Sequence, residues 1–318
     1  ASVQIASQTF GASGLGLPRV ALGCAGFGGV GSEPDLFGQG LSNAEAAELM
    51  DAAWELGITH FDTADAYGGG RSERAIGAWM AARGLRPLLT SKTFNPMDAG
   101  ADLGLSAQRI HRQVRSSLER LGVDRIDLYL AHDFDPDVPL AETIGAFEQL
   151  RADGVLTEYG VSNFDAGQLR ATLDAGAPVA VQNGYSLLEQ GDEPTLAAAH
   201  SAGVAYIVFS PLSGGWLSGK YRRGAAYPEG SRMTQRPGPY AALETERTYD
   251  ALEALGRFAA ERGSSMTAVA LAWLLGDERI AQVVVGPGRV AHLDPVREAL
   301  QHPLTPEEVA QVSALFAG

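Results

Sequence analysis

The sequence predicts a single (β/α)8 barrel, and three observations support this fold class. Short apolar segments rich in Val, Ile and Leu recur eight times and alternate with helical segments. Such strands are typical of parallel sheets, which are buried on both faces. The spacing is even over 318 residues, and no linker or low-complexity segment divides the chain. We therefore expect one domain, residues 1–318, with an N-terminal β-hairpin cap and long rim loops.

The elements follow from local patterns along the chain. Residues 8–20, with four Gly and Pro positions, predict the hairpin. The predicted barrel strands are 20–23, 58–62, 87–91, 124–130, 156–161, 179–182, 204–209 and 282–285. The predicted helices are about 42–56, 71–83, 106–121, 140–153, 165–175, 193–202, 245–262, 266–275 and 289–299. An open doubly wound sheet is the competing architecture, and the strand count and even spacing favour the barrel.

Composition limits the possible partners. The formal net charge is −14 and there is no run of Lys or Arg, which argues against binding to nucleic acid or an anionic membrane. The longest apolar run, 268–275, is too short to span a bilayer, and no signal-peptide pattern opens the chain. Cys24 is the only cysteine, so no intrachain disulfide can form. These features predict a cytoplasmic enzyme with a small-molecule substrate, and they do not indicate an oligomeric state.

Polar residues follow the predicted strands at the point where each strand ends. The second strand ends at Asp62, and Tyr67 lies in the loop that follows it. The next strand ends are Ser91-Lys92, His132-Asp133, Ser162-Asn163, Gln182-Asn183 and Ser210-Pro211. The carboxyl ends of barrel strands share one rim, so these side chains can converge there. Burying so many polar groups is costly unless they pair, which indicates a functional site.

The residue types at this rim suggest proton transfer to a carbonyl oxygen. Lys92 is either a surface lysine or the ion-pair partner of Asp62. A charged Lys92 would favour the Tyr67 phenolate, and we expect the pKa of Tyr67 to fall below its usual value of about 10. Tyr67 would then protonate an alkoxide, and His132 would donate to the same oxygen. Each residue alone could be structural, but four at successive strand ends favour a joint role.

Several segments resemble the aldo-keto reductase superfamily. They are Phe61–Gly68, Ser91-Lys92, Asp127–His132, Gly160–Phe164 and Ser210–Gly214, and the similarity runs from about Phe10 to Val296. The resemblance implies a catalytic tetrad of Asp62, Tyr67, Lys92 and His132. It implies NADPH-linked interconversion of a carbonyl and an alcohol. It also implies that Ser162, Asn163 and Gln182 bind the nicotinamide carboxamide.

The segment Ser210–Tyr221 is most similar to members near the potassium-channel β subunits and aflatoxin-aldehyde reductases, and bacterial members share the pattern. That similarity implies that the loop bearing Ser210, Pro211, Leu212 and Gly214, together with Lys220, binds the pyrophosphate. By the same resemblance, Arg232 lies in a belt loop over the cofactor.

The segment that would bind the adenine end of the cofactor departs from the family pattern. Gly286 is retained, Gly288 and Arg289 follow it, and His292 replaces the usual glutamine. We expect Arg289 to lie at a helix N-terminus, a suitable site for a 2′-phosphate, and therefore expect NADP rather than NAD.

Several further features carry less weight. Gly26–Gly31 matches G-x-G-x-x-G, but no helix follows at once, so we interpret it as a long loop with Phe27 or Phe37 against the substrate. Trp216, Phe94 and Phe134 suggest a hydrophobic substrate pocket, while the identity of the carbonyl substrate and the direction of the reaction stay open. Cys24 is expected to be a small buried residue rather than a reactive thiol. The histidines show no metal-ligand spacing, so no metal site is expected.

Two other functions are compatible with this sequence. One is a nucleotide-sensing regulatory subunit with little or no turnover, as the channel-like segment suggests. The other is a Schiff-base aldolase that uses Lys92, although Asp62 argues against it by keeping the lysine charged.

Overall fold

The chain forms a closed parallel barrel of eight strands in the computed structural model, which describes residues 1–318. An antiparallel hairpin, β1 (Ser7–Phe10) and β2 (Leu15–Pro18), precedes it. The barrel strands are β3 (Val20–Gly23), β4 (His60–Asp62), β5 (Leu88–Thr93), β6 (Ile126–Ala131), β7 (Leu156–Ser162), β8 (Ala180–Gly184), β9 (Ala205–Phe209) and β10 (Ile280–Val285). They pair in chain order, and β10 closes on β3. The predicted barrel is therefore confirmed, and the open sheet is wrong.

The hairpin closes one end of the barrel. Phe10, Leu15 and Leu17 pack with inward-facing residues such as Leu130 and Ile207. Because β2 leads directly into β3, the hairpin covers the amino-terminal end of the strands. The opposite end, where the strands finish, remains available for a site.

Eleven helices surround the barrel, and most match the predicted ranges. They are α1 (Asn43–Leu56), α2 (Arg71–Arg83), α3 (Ala107–Leu121), α4 (Leu140–Ala152), α5 (Ala166–Ala175), α6 (Glu193–Ser201), α7 (Arg232–Gln235), α8 (Glu246–Arg262), α9 (Met266–Leu275), α10 (Asp294–Gln301) and α11 (Pro306–Leu315). Ser42 caps α1 in a capping box with Glu45. The main apolar core lies between these helices and the outer face of the barrel. None of the helices is both long and apolar enough to span a bilayer.

The C-terminal region differs from the prediction. Instead of one helix over 289–299, a 3-10 turn (Val290–Leu293) precedes α10, which begins at Asp294. Pro295 explains the late start, because proline lacks an N–H and is tolerated only in the first turn of a helix. Arg289 is the N-cap residue of this 3-10 turn, so it lies at the N-terminus of a short helical turn and not of α10 itself.

Candidate active site

The centre of the site is a buried ion pair between neighbouring strands. Lys92 on β5 donates from Nζ to Asp62 Oδ1 at 2.5 Å and to the Thr63 carbonyl at 3.0 Å. Lys92 is fully buried and the Asp62 side chain is only 4% exposed. Burial alone would lower the pKa of Lys92, but Asp62 and Tyr67 outweigh it and raise the pKa above its usual value. Lys92 is therefore charged, as the ion-pair interpretation predicts, and the surface-lysine interpretation is wrong.

Tyr67 reaches this pair from the loop after β4. The Lys92 Nζ donates to the Tyr67 hydroxyl at 3.3 Å. Tyr67 begins a tight turn through three glycines with positive φ. At Gly68 a Cβ would lie 2.8 Å from the Phe27 carbonyl oxygen, so only glycine allows this close packing of the turn against the preceding loop.

The electrostatics of Tyr67 correct one expectation. Burial raises the pKa of the Tyr67 phenol above its usual value, and the nearby Lys92 charge offsets this only in part. The predicted fall in pKa is therefore wrong, because the cost of burying a phenolate exceeds the attraction to the ammonium. The consequence is that Tyr67 carries its proton, which is the state that a general acid requires.

His132 completes the group at the end of β6. Its ring meets the Tyr67 ring edge-on, with 5.4 Å between centroids. Burial, together with the Lys92 charge, lowers the pKa of His132 to about 3. The imidazole is therefore neutral, and it can donate through one nitrogen only. Its Nδ1 lies 3.3 Å from the Asn95 side-chain amide nitrogen, a contact that the strand-end pattern did not predict.

The three residues expected to bind a carboxamide lie beside this group, and each is already engaged in the protein. Gln182 on β8 donates from Nε2 to Asp62 Oδ2 at 2.7 Å, which leaves its oxygen for another partner. The Ser162 hydroxyl donates to the backbone carbonyl of Gln182 at 2.7 Å. Asn163, with a positive φ of 59°, donates to the His132 carbonyl at 2.8 Å. The amide residues and the proton-transfer group thus share one hydrogen-bonded network.

A loop with unusual backbone follows β9. Ser210 and Ser213 both have a φ of 49°, and Ser213 donates to Glu189 Oε2 at 2.6 Å. At Gly214 a Cβ would lie 2.5 Å from the Tyr240 ring, so glycine lets the later part of the loop fold back over the earlier part. Pro211 is buried and Leu212 is partly buried. The loop is thereby held in a fixed shape with its backbone close to other groups.

Three cationic side chains gather beyond this loop. Lys220, Arg232 and Arg289 interact electrostatically, and burial and then the two arginines lower the pKa of Lys220. No ion pair with a carboxylate involves any of the three, although half of the arginines of the chain have one. Mutually repelling cations with no protein counter-charge favour an anionic ligand. Gly286 and Gly288 are exposed next to Arg289, and the Gly288 N–H donates to His292 Nδ1.

The sequence-based expectations for the rim have mixed outcomes. Trp216 is fully buried and packs against Tyr221, Tyr227 and Tyr249, so it supports the loop after β9 and does not line a pocket. Phe27 is also buried, whereas Phe94 and Phe134 are partly exposed.

The Gly26–Gly31 motif leads into a loop with a 3-10 turn at Pro34–Leu36, and α1 starts only at Asn43. The motif is therefore not a dinucleotide fingerprint. Cys24 is buried, as expected, and burial raises the pKa of its thiol.

The fold and this site define the protein as an oxidoreductase of the (β/α)8 class. A family model described as the aldo/keto reductase family matches residues 19–317, and the chain belongs to that family.

Individual relatives support this assignment over nearly the whole chain. An uncharacterized oxidoreductase, YrpG of Bacillus subtilis, is 33% identical over 97% of this chain and 95% of its own length. A putative voltage-gated potassium channel subunit beta of Schizosaccharomyces pombe is 30% identical over 87% and 86%. Among solved structures, the glycerol dehydrogenase AKR11B4 of Gluconobacter oxydans superposes with a TM-score of 0.83 at 25% identity, covering 97% of this chain and 94% of that one. The similarity to both bacterial oxidoreductases and channel subunits agrees with the sequence resemblance.

Proposed function

We propose that the protein reduces an aldehyde or ketone to an alcohol with NADPH, and that Tyr67 is the general acid. The observation that carries this proposal is the bonding of Lys92, which donates to Asp62 and to the Tyr67 hydroxyl from one ammonium. A protonated phenol next to a fixed positive charge is suited to give up its proton as negative charge develops on a nearby oxygen.

Each residue of the site has a separate role in the proposed reduction. When bound, NADPH supplies the hydride that goes to the carbonyl carbon. Tyr67 transfers its hydroxyl proton to the carbonyl oxygen, and the charged Lys92 stabilises the phenolate that remains. Asp62 keeps Lys92 charged and in position. The neutral His132 donates to the same oxygen and orients the substrate, and the product is the alcohol.

The residues that surround the tetrad fit a nicotinamide dinucleotide. The Gln182 oxygen and the Asn163 side chain offer hydrogen-bonding groups to a carboxamide beside the tetrad. The fixed loop Ser210, Pro211, Leu212 and Gly214, with Lys220 and Arg232, suits a pyrophosphate. Arg289, with Gly286, Gly288 and His292 around it, is proposed for the 2′-phosphate, which selects NADP over NAD.

The aldolase alternative is not supported, because a Schiff-base lysine must lose its proton to act as a nucleophile. The pKa of Lys92 is raised, so the amine stays charged. A regulatory subunit with little turnover is the remaining alternative, and the complete set of proton-transfer residues favours turnover. Oxidation of NADPH by test aldehydes separates the two.

Substituting Tyr67 with Phe tests the proposal directly. Tyr67→Phe removes the acidic proton and keeps the ring, so we expect turnover to fall by at least about a thousandfold, within the range typical of general acid catalysis. NADPH binding, measured by quenching of protein fluorescence, is expected to stay within about twofold, since the phenol is not part of the phosphate site. Retained turnover would refute the assignment of Tyr67. An absence of NADPH oxidation by every carbonyl class in the unmodified protein would refute the function itself.

A further inference from the structure

Asn95 lies two residues after β5 and contacts the catalytic group from the side. Its side-chain Nδ2 is 3.3 Å from His132 Nδ1 and 3.5 Å from Ser32 Oγ. An amide nitrogen carries two hydrogens, so both contacts can be donated hydrogen bonds. The resemblance to known enzymes and the strand-end pattern do not account for this residue.

Asn95 is held in place by a buried arginine. Arg109 on α3 donates from Nη2 to the Asn95 carbonyl at 2.9 Å and from Nη1 to Thr93 Oγ1 and the Gly104 carbonyl, both at 3.0 Å. The Arg109 side chain is only 4% exposed. The loop after β5 is therefore tied to a rigid helix, and Asn95 faces His132 from a fixed backbone position.

The hydrogen-bonding capacity of His132 explains why this contact matters. A neutral imidazole has one N–H and one acceptor nitrogen. If Asn95 donates to Nδ1, the proton must reside on Nε2, and Nε2 can donate to a carbonyl oxygen. If the proton were on Nδ1, Nε2 would carry a lone pair, which repels that oxygen. Burial and the charged Lys92 disfavour the imidazolium, so the neutral ring must adopt one of the two tautomers.

We propose that Asn95 is a positioning residue that holds His132 in the tautomer with its proton on Nε2. This inference rests on the proposed function, because that function requires His132 to donate to the substrate oxygen. Asn95 itself is not expected to touch the substrate; it acts through the histidine.

The tautomer can be measured without any activity. We would label the full-length protein with ¹⁵N-histidine and record long-range ¹H–¹⁵N spectra, in which protonated and unprotonated ring nitrogens have different shifts. The chain has six histidines, and His132→Gln identifies the relevant signals. The expected result is an unprotonated Nδ1 and a protonated Nε2 in the unmodified protein. A protonated Nδ1 would overturn the proposal whether or not any variant folds.

Two substitutions of Asn95 then separate positioning from packing. Asn95→Asp has the same shape, but its carboxylate only accepts, so Nδ1 should become protonated. Turnover at neutral pH should fall at least tenfold and recover in part as the pH is lowered, because the imidazolium regains a donor on Nε2. Asn95→Leu removes the donor, and we expect mixed tautomers with a lower kcat and little change in NADPH binding. Ser32→Ala is the matched control; it removes the other partner of Nδ2 and should change kcat less than twofold.

The outcomes distinguish this inference from the proposed function. Unchanged ring signals and unchanged kcat in both Asn95 variants would overturn the positioning role while leaving carbonyl reduction intact. If the protein reduces no carbonyl, the proposed function fails, and the ring spectra still decide whether Asn95 sets the tautomer.

Discussion

Gln182 and Asp62 are joined across the barrel by a 2.7 Å hydrogen bond from Nε2 to Oδ2. Their strands, β8 and β4, lie on opposite sides of the closed sheet. Asp62 Oδ1 accepts from Lys92, so both carboxylate oxygens have a donor. A residue proposed to bind the cofactor therefore also completes the bonding of the ion pair, and the proposed nicotinamide site is connected to the proposed general acid through hydrogen bonds.

The first prediction concerns this bond. Gln182→Met keeps the side-chain length but leaves a buried carboxylate oxygen without a donor, which costs about 1.5–3 kcal/mol of unfolding free energy. Denaturant unfolding of the ligand-free protein measures this loss of unfolding free energy. Gln149→Met is the matched control, because Gln149 also donates to an aspartate, Asp153, but in an exposed pair. Equal losses in the two variants would contradict a special role for the buried bond.

Gln182→Glu sharpens the same test. Two carboxyl groups at this distance share a proton, and the pKa of one is raised above its unfolded value. A raised folded pKa stabilises the protein below that pKa, and the stabilisation is lost as the pH rises through it. We therefore expect the stability of Gln182→Glu, relative to the unmodified protein, to fall as the pH rises above about 5. A pH-independent difference would count against the shared proton.

The anion site gives the next prediction. Arg289→Ala should weaken NADPH binding by about tenfold and leave NADH binding nearly unchanged, because the two cofactors differ in the 2′-phosphate. Lys220→Ala and Arg232→Ala should weaken both cofactors, since the pyrophosphate is common to them. Binding is measured by fluorescence titration at two salt concentrations. A loss of equal size for NADPH and NADH in Arg289→Ala would disprove its assignment to the 2′-phosphate.

A surface ion pair links the loop after β3 to the loop after β9. Arg236 Nη2 lies 3.0 Å from Glu33 Oε1, with both side chains about 40% exposed. Such a pair contributes at most about 1 kcal/mol to stability. If the loop after β9 must open for cofactor exchange, Arg236→Ala should raise the NADPH dissociation rate about two- to fivefold in stopped-flow displacement. Restoration of the slow rate by the charge swap Glu33→Arg with Arg236→Glu would show that the pair itself is responsible, and no restoration would show that it is not.

Much of the fold and the convergence of the polar strand-end residues could be predicted, because barrel topology places every strand end at one rim. Asp62, Lys92 and His132 meet for that reason alone. The predictions that are wrong or missing concern properties that depend on how deeply a side chain is buried and on contacts between loops. The pKa of Tyr67 follows its burial, the position of Trp216 follows the packing of three tyrosines, and Asn95 reaches His132 through a loop whose path has no local signal. Helix α11 has no counterpart among the predicted helices, although Thr305 and Glu308 form a capping box whose residues can be identified in the sequence.

The last prediction concerns stability in acid and uses a histidine inside the barrel. His60 is buried, lies 2.7 Å from Thr90 Oγ1 through Nε2, and has Nδ1 3.0 Å from Gln282 Nε2. Burial lowers the pKa of His60 from 6.5 to about 4. The unfolded chain therefore binds an extra proton between these values, and the unfolding free energy falls as the pH drops through this window, by about 1.4 kcal/mol per pH unit at most.

Asp65 acts in the opposite direction, and the experiment must separate the two. Burial raises the pKa of Asp65 from 3.8 to about 6, so its protonation stabilises the folded state as the pH falls from 6 to 3.8. Comparing the unmodified protein with His60→Gln cancels the Asp65 contribution. We expect the unmodified protein to lose about 2–3 kcal/mol more than His60→Gln between pH 6.5 and 4.5, measured by urea unfolding. The exposed His302→Gln is the control, and parallel pH profiles for all three proteins would show that His60 titrates normally in the folded state.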